Sequence, residues 1–149
     1  MLLDSSVLIA ILNPEDKHHQ VAIDSFSESH RYQFSALSIT EVLPAAIKAG
    51  TSKAVMGKLE QIATEIISLD AQIAELAASI RVNQGLKTPD AIISASATQT
   101  KAQLWTLDAK LAKAHKGSRL LAQKHWARDT RYQSPFHPAE SQEILYSSH

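Results

Sequence analysis

The chain contains no cysteine, which excludes thiolate metal sites, thiol nucleophiles and disulfides together. Glycine is scarce as well. Four glycines among 149 residues form no Gly-rich loop to cradle a nucleotide's phosphates, and no Gly-x-Ser-x-Gly elbow frames a nucleophilic serine. An enzyme working through an aspartyl phosphate would carry a second acid two residues after Asp4, where this chain has Ser6. Long apolar runs are missing too. The stretch Val7 to Leu12 is far shorter than a membrane span, and Asp4 precedes it where a signal peptide would carry Lys or Arg. The expectation is a cytoplasmic protein without a membrane role.

What is present is the composition of one globular domain, with 44% hydrophobic and 20% charged residues. The formal net charge is zero, yet its distribution is uneven. Residues 1–100 hold 7 basic and 11 acidic side chains, residues 101–131 hold 8 and 2, and residues 132–149 hold 0 and 2. The middle block, with Lys101, Lys110, Lys113, Lys116, Arg119, Lys124, Arg128 and Arg131, suits a path for phosphates and equally a solvated face.

Hydrophobic patterning and capping signals give the element order. Leu2 and Leu3 read as a short buried strand, with Asp4 at its junction with a helix over Val7 to Leu12. Asn13-Pro14-Glu15-Asp16 has the form of a new helix start, predicting a helix to about His30. A strand over Tyr32 to Ser35 follows. The next helix begins at Ser35 or Ser38, and Pro44 predicts a kink or a late start, since a proline inside a helix removes a hydrogen bond. A helix over Thr51 to Thr64, a strand over Ile66 to Leu69 and a helix from Asp70 to Gln84 come next, Gly85 standing just past the last. Thr88 and Pro89 supply cap and first position for a helix to Thr100, Gln103 to Leu107 is a buried strand, and Asp108 caps the helix after it. Leu120 to Ala122 is a candidate edge strand. This alternation predicts a three-layer α/β/α sandwich with a central, mostly parallel sheet over residues 1–124, and a peripheral tail over 125–149.

Four acids deserve weighing together. Asp4 and Asp108 serve as helix caps in the simplest reading, Glu41 closes a capping box with Ser38, and Asp90 complements a helix dipole. In an open parallel sheet, however, ligands bind off the carboxyl ends of the strands, which is where the following helices begin. Convergence of the four there would demand cations, because two carboxylates about 4 Å apart repel by roughly 4 kcal/mol at an effective dielectric near 20. All-oxygen ligands favour Mg²⁺ or Mn²⁺, the setting for phosphodiester hydrolysis. Asp70 also follows a strand and opens a helix, and nothing in its spacing separates it from the other acids.

The runs Leu2-Leu3-Asp4-Ser5-Ser6-Val7-Leu8-Ile9, Ser35-Ala36-Leu37-Ser38-Ile39-Thr40-Glu41-Val42, Thr88-Pro89-Asp90-Ala91-Ile92-Ile93-Ser94-Ala95-Ser96-Ala97 and Leu104-Trp105-Thr106-Leu107-Asp108 together resemble the PIN domain, with VapC-type toxins the nearest likeness. The resemblance spans roughly residues 2–122. It implies an endoribonuclease, the toxin of a type II toxin–antitoxin pair, using Mg²⁺ or Mn²⁺. By the family's motifs Asp4 and Asp90 would be the principal metal ligands, Glu41 and Asp108 would complete the acidic pocket, and Ser6 and Thr106 match the hydroxyl residues that support it. It also implies an RNA substrate, a small antitoxin partner and a homodimer, and leaves Asp70 as a plain cap. The competing functions are a catalytically silent PIN-like module that binds RNA or protein, and an rRNA-processing nuclease without an antitoxin.

The remaining signals point elsewhere. His18 and His19 are neighbours and so cannot share a helix face, which suits exposed residues better than a metal pair. His115, His125, His137 and His149 have no i, i+4 pairing and read as solvated. Trp126 and Tyr132 beside Arg128 and Arg131 read as anchors of the tail to the core before they read as RNA contacts.

Overall fold

The computed structural model describes residues 1–27 and 29–121. Five short strands, β1 (Leu2–Leu3), β2 (Gln33–Ser35), β3 (Glu65–Ile67), β4 (Leu104–Thr106) and β5 (Ser118–Leu120), form one sheet in the order β3-β2-β1-β4-β5. Every neighbouring pair is parallel. Around it lie α1 (Ser5–Leu12), α2 (His19–Asp24), α3 (Ala36–Lys48), α4 (Ser52–Ile62), α5 (Ala71–Gln84), α6 (Thr88–Gln99) and α7 (Ala109–Ala114).

Successive strand residues face opposite ways, and the two central strands use this to bind three layers together. Leu2 and Leu104 enter one core with Ile73, Ala77 and Ile80 of α5 and Ile93 of α6. Leu3 and Trp105 enter the other, with Phe34, Val7 and Leu8 of α1, Val42 of α3 and Leu59 of α4. Each central strand is thus apolar on both faces, as a sheet covered on both sides requires. The sandwich is the one the alternation of elements predicts, and the sheet is wholly parallel.

Strand numbers run outward from β1 on both sides, so the connection from β3 to β4 must cross back over the sheet. Between β1 and β4 the chain therefore departs in opposite directions, opening a crevice at their carboxyl ends. β3, by contrast, is an edge strand, separated from β1 by β2.

Several local expectations are corrected. Asn13 and Asp16 do not start a long helix: their side chains accept from the backbone N–H groups of Glu15 (3.1 Å) and His18 (2.8 Å), closing tight turns, so the helix covers only His19–Asp24. Local side-chain acceptors compete here with helical hydrogen bonds. The helix carrying Pro44 does not start late. Ser35 caps it, its hydroxyl accepting from Leu37 N at 3.3 Å, and the helix runs from Ala36 to Lys48 with the proline inside. In α6 the cap is Lys87, one residue before the expected Thr88, and the last strand ends at Leu120. His115 is buried, its Nδ1 sharing a 2.8 Å hydrogen bond with Ser94 Oγ, and His19 Nδ1 pairs with the carbonyl of Ala10 at 2.7 Å. Neither is a freely solvated ring. The tail over 125–149, with Trp126, Arg128, Arg131 and Tyr132, and the histidines at 125, 137 and 149, lies outside the described residues.

Candidate active site

Asp4 leaves β1 directly into the crevice and occupies the N-cap position of α1, yet its carboxylate makes no capping hydrogen bond. Its Oδ2 instead accepts from Ser6 Oγ at 2.6 Å and from Thr106 Oγ1 at 2.8 Å. Both hydroxyls accept in turn from backbone N–H groups just past β4: Leu107 N donates to Ser6 Oγ and Asp108 N to Thr106 Oγ1, each at 3.0 Å. A donor that is itself polarised by a second donor is strengthened. Asp4 is also buried, at 7% exposure, so the carboxylate is fixed by both central strands.

Glu41 lies in the second turn of α3 and is exposed. The capping box with Ser38 does not form. Ser38 Oγ is fully buried and has no hydrogen-bond partner, and Glu41 Oε2 accepts instead from the hydroxyl of Ser5, the first residue of α1. Sequence reasoning passed over Ser5. The motif containing it offers two adjacent serines, and only the fold reveals that one serves each acid.

Asp108 behaves as the cap its position predicts, its Oδ1 accepting from Lys110 N at 2.7 Å and Leu111 N at 3.1 Å. Asp70 does the same for α5, accepting from Ile73 N at 2.8 Å, but it follows the edge strand β3, two strands away from β1. Three of the four acids thus share one design. Asp4, Glu41 and Asp108 are each tethered through one carboxylate oxygen, and the other accepts no hydrogen bond from a described residue.

Asp90 is the fourth, in the first turn of α6. Its carboxyl is pushed above the ordinary aspartate range, first by burial and then by the negative charges of Asp4, Asp108 and Glu41, while Lys110 pulls the other way. Its proton thus registers all three of the other acids, which arrive from β1, β4 and α3. Among the described residues, no three Asp, Glu or His side chains close around a single point at ion-ligand spacing. The acids act on one another through charge without closing around one ion position in this arrangement.

The donor set fits a small divalent cation in charge and chemistry, being all carboxylate oxygen. Mg²⁺ in particular keeps much of its water and takes one or two carboxylates from the protein in place of a closed cage. A separate groove of about 530 Å³ lies elsewhere, lined by Ile11, Ile23, Phe26, His30, Tyr32 and Ile62 among others, and none of the four acids lines it.

The family model described as the PIN domain matches residues 1–117. The chain belongs to the PIN domain family. Similar solved structures include a toxin–antitoxin complex from Klebsiella pneumoniae, at 26% identity and a TM-score of 0.70, covering 81% of this chain and 97% of that one. A sarcin-ricin-loop-cleaving toxin from Mycobacterium tuberculosis aligns at 17% identity and a TM-score of 0.65, covering 76% and 93%. FitAcB from Neisseria gonorrhoeae aligns at 22% and 0.64, covering 80% and 95%. The last two show likeness of fold. No curated protein matches the chain. Within this PIN domain no described helix is long and apolar enough to cross a membrane.

Proposed function

We propose that the protein is a metal-dependent endoribonuclease, hydrolysing RNA phosphodiester bonds with Mg²⁺ or Mn²⁺ as the toxin of a type II toxin–antitoxin pair. Membership of the PIN family and the fold shared with toxins support the reading. The observation that carries it is the use to which Asp4 is put. A carboxylate at a helix N-cap ordinarily accepts from the helix's own N–H groups. This one is turned to two hydroxyls, and it is one of three acids whose charge, after burial, pushes the Asp90 carboxyl upward in pKa. A site that only bound RNA would gain nothing from such self-repulsion, because the negative charge also repels phosphate.

In this reading Asp4 and Asp90 are the principal metal ligands, with Glu41 and Asp108 completing the pocket directly or through water. Bound there, the ion would lower the pKa of an attacking water and stabilise charge on the attacking and leaving oxygens. The chain's own contribution is placement. Ser6 and Thr106 hold one oxygen of Asp4 and leave the other available, and the amides of Lys110 and Leu111 do the same for Asp108. By analogy with the toxin–antitoxin complex it resembles, we assign the protein a small antitoxin partner, and we expect a homodimer in the cytoplasm.

Purified protein incubated with RNA and Mn²⁺ or Mg²⁺, beside Asp4→Asn and an EDTA control, tests the enzyme. Asparagine keeps the shape and an acceptor for both hydroxyls while removing the charge. Cleavage should fall by at least about 100-fold, the upper end of what loss of one metal-supporting group costs. Cleavage undiminished in the variant would mark a contaminating nuclease, and none under any condition would leave a binding module.

A further inference from the structure

We propose that Ser5 is a positioning residue that sets the reach of Glu41 toward the metal, making the first turn of α1 the spacer between two acids that lie far apart in the chain. The inference rests on the metal-site reading above and extends it to a residue outside the acidic set. Adjacent residues on a helix point about 100° apart, so the hydroxyls of Ser5 and Ser6 leave the turn in different directions. Ser6 donates to Asp4, and Ser5 donates across 36 residues of sequence to Glu41. The separation of the two carboxylates is therefore set by one rigid turn, itself tied to β4 through the bond from Leu107 N to Ser6 Oγ.

The dependence of Glu41 on Ser5 is unusually complete. Ser5 is buried at 6% exposure, whereas Glu41 is exposed, so a fixed donor holds a long side chain that water would otherwise take. The hydroxyl that the sequence pairs with Glu41, that of Ser38, has no partner. No other described side chain donates to the Glu41 carboxylate. Groups that orient a metal-binding carboxylate typically matter 10- to 100-fold for affinity, and a single strong donor on the only tethered oxygen belongs in that range.

The test measures Mn²⁺ binding directly, by calorimetry and by the electron paramagnetic resonance of free Mn²⁺, without RNA. It uses the full chain as wild type, Ser5→Ala, Ser5→Thr, Glu41→Gln and Ser5→Ala/Glu41→Gln, each checked by thermal melting. Ser5→Ala should bind Mn²⁺ roughly 10-fold more weakly, and Ser5→Thr, which keeps the hydroxyl, should bind as wild type does. The double variant should match Glu41→Gln alone, because the serine acts only through the glutamate. Unchanged affinity in Ser5→Ala beside a wild type that binds Mn²⁺ would overturn this proposal alone, whatever happens to the melting temperature. So would a double variant weaker than Glu41→Gln by the full Ser5→Ala factor. A wild type that binds no Mn²⁺ would overturn the metal site and this proposal together.

Discussion

Asp90 is the residue on which the charge of the site can be read. Its raised pKa means that the folded protein holds the proton more readily than the unfolded chain. Stability from this group is therefore greatest in acid and declines as pH rises from the ordinary value of 3.8 through the folded one. Asp90→Asn removes both the cost of burying this charge and the repulsion from Asp4, Asp108 and Glu41. It should melt above wild type at pH 7, by about 2–4 °C if the relief is on the order of 1 kcal/mol, with the gain shrinking toward pH 4 and cleavage lost. Scanning calorimetry at the two pH values checks both the sign and the trend. Ser38 makes the opposite case, a buried hydroxyl without a partner. Replacing it by alanine removes an unsatisfied group, so Ser38→Ala should unfold in urea at an equal or higher midpoint, with a gain of up to about 1 kcal/mol. A loss of more than that would mean that the hydroxyl is satisfied in solution.

Elements tell how much of this could be read in advance. β1, β4 and α5 were legible because their signals are local: paired leucines, a buried run ending in an acid, and a cap and a stop at Asp70 and Gly85. α2 was misjudged because Asn13 and Asp16 signal a helix cap and a turn with the same side-chain acceptor, and the turn prevailed. The four acids were legible as candidates, but which capped a helix and which did not depended on partners from other elements. The bond from Thr106 to Asp4 spans 102 residues and that from Ser5 to Glu41 spans 36, distances at which no sequence pattern operates. His115 is another such case, read as solvated and found closing α7 onto Ser94 of α6. Burial pushes its pKa below the ordinary 6.5. The unfolded chain therefore takes up the proton first, and stability is lost as pH falls from 6.5 toward the folded value. His115→Gln should abolish that part of the slope in melting temperature between pH 7 and pH 5, while wild type keeps it.

At the scale of the whole molecule, a chain of zero net charge has its described cations concentrated late, with Lys110, Lys113, Lys116 and Arg119 all exposed on α7, β5 and the loop between them. Lys110 is near enough to act on Asp90, so this face begins beside that acid. Single-stranded RNA crossing it would release about 0.7 counterions for each phosphate neutralised. For Lys110→Gln/Lys113→Gln, the salt dependence of RNA binding by the Asp4→Asn protein should accordingly flatten by about 1.4 in log–log slope. An unchanged slope would mark α7 as a solvated face. The sheet order has a further consequence. The tethers of Asp4 join β1 and β4, two of the three inner strands with partners on either side, while the outermost strands β3 and β5 carry none of them. Fraying begins at margins, so the sheet can loosen at its rims while the hydrogen bonds that hold Asp4 between β1 and the end of β4 stay closed.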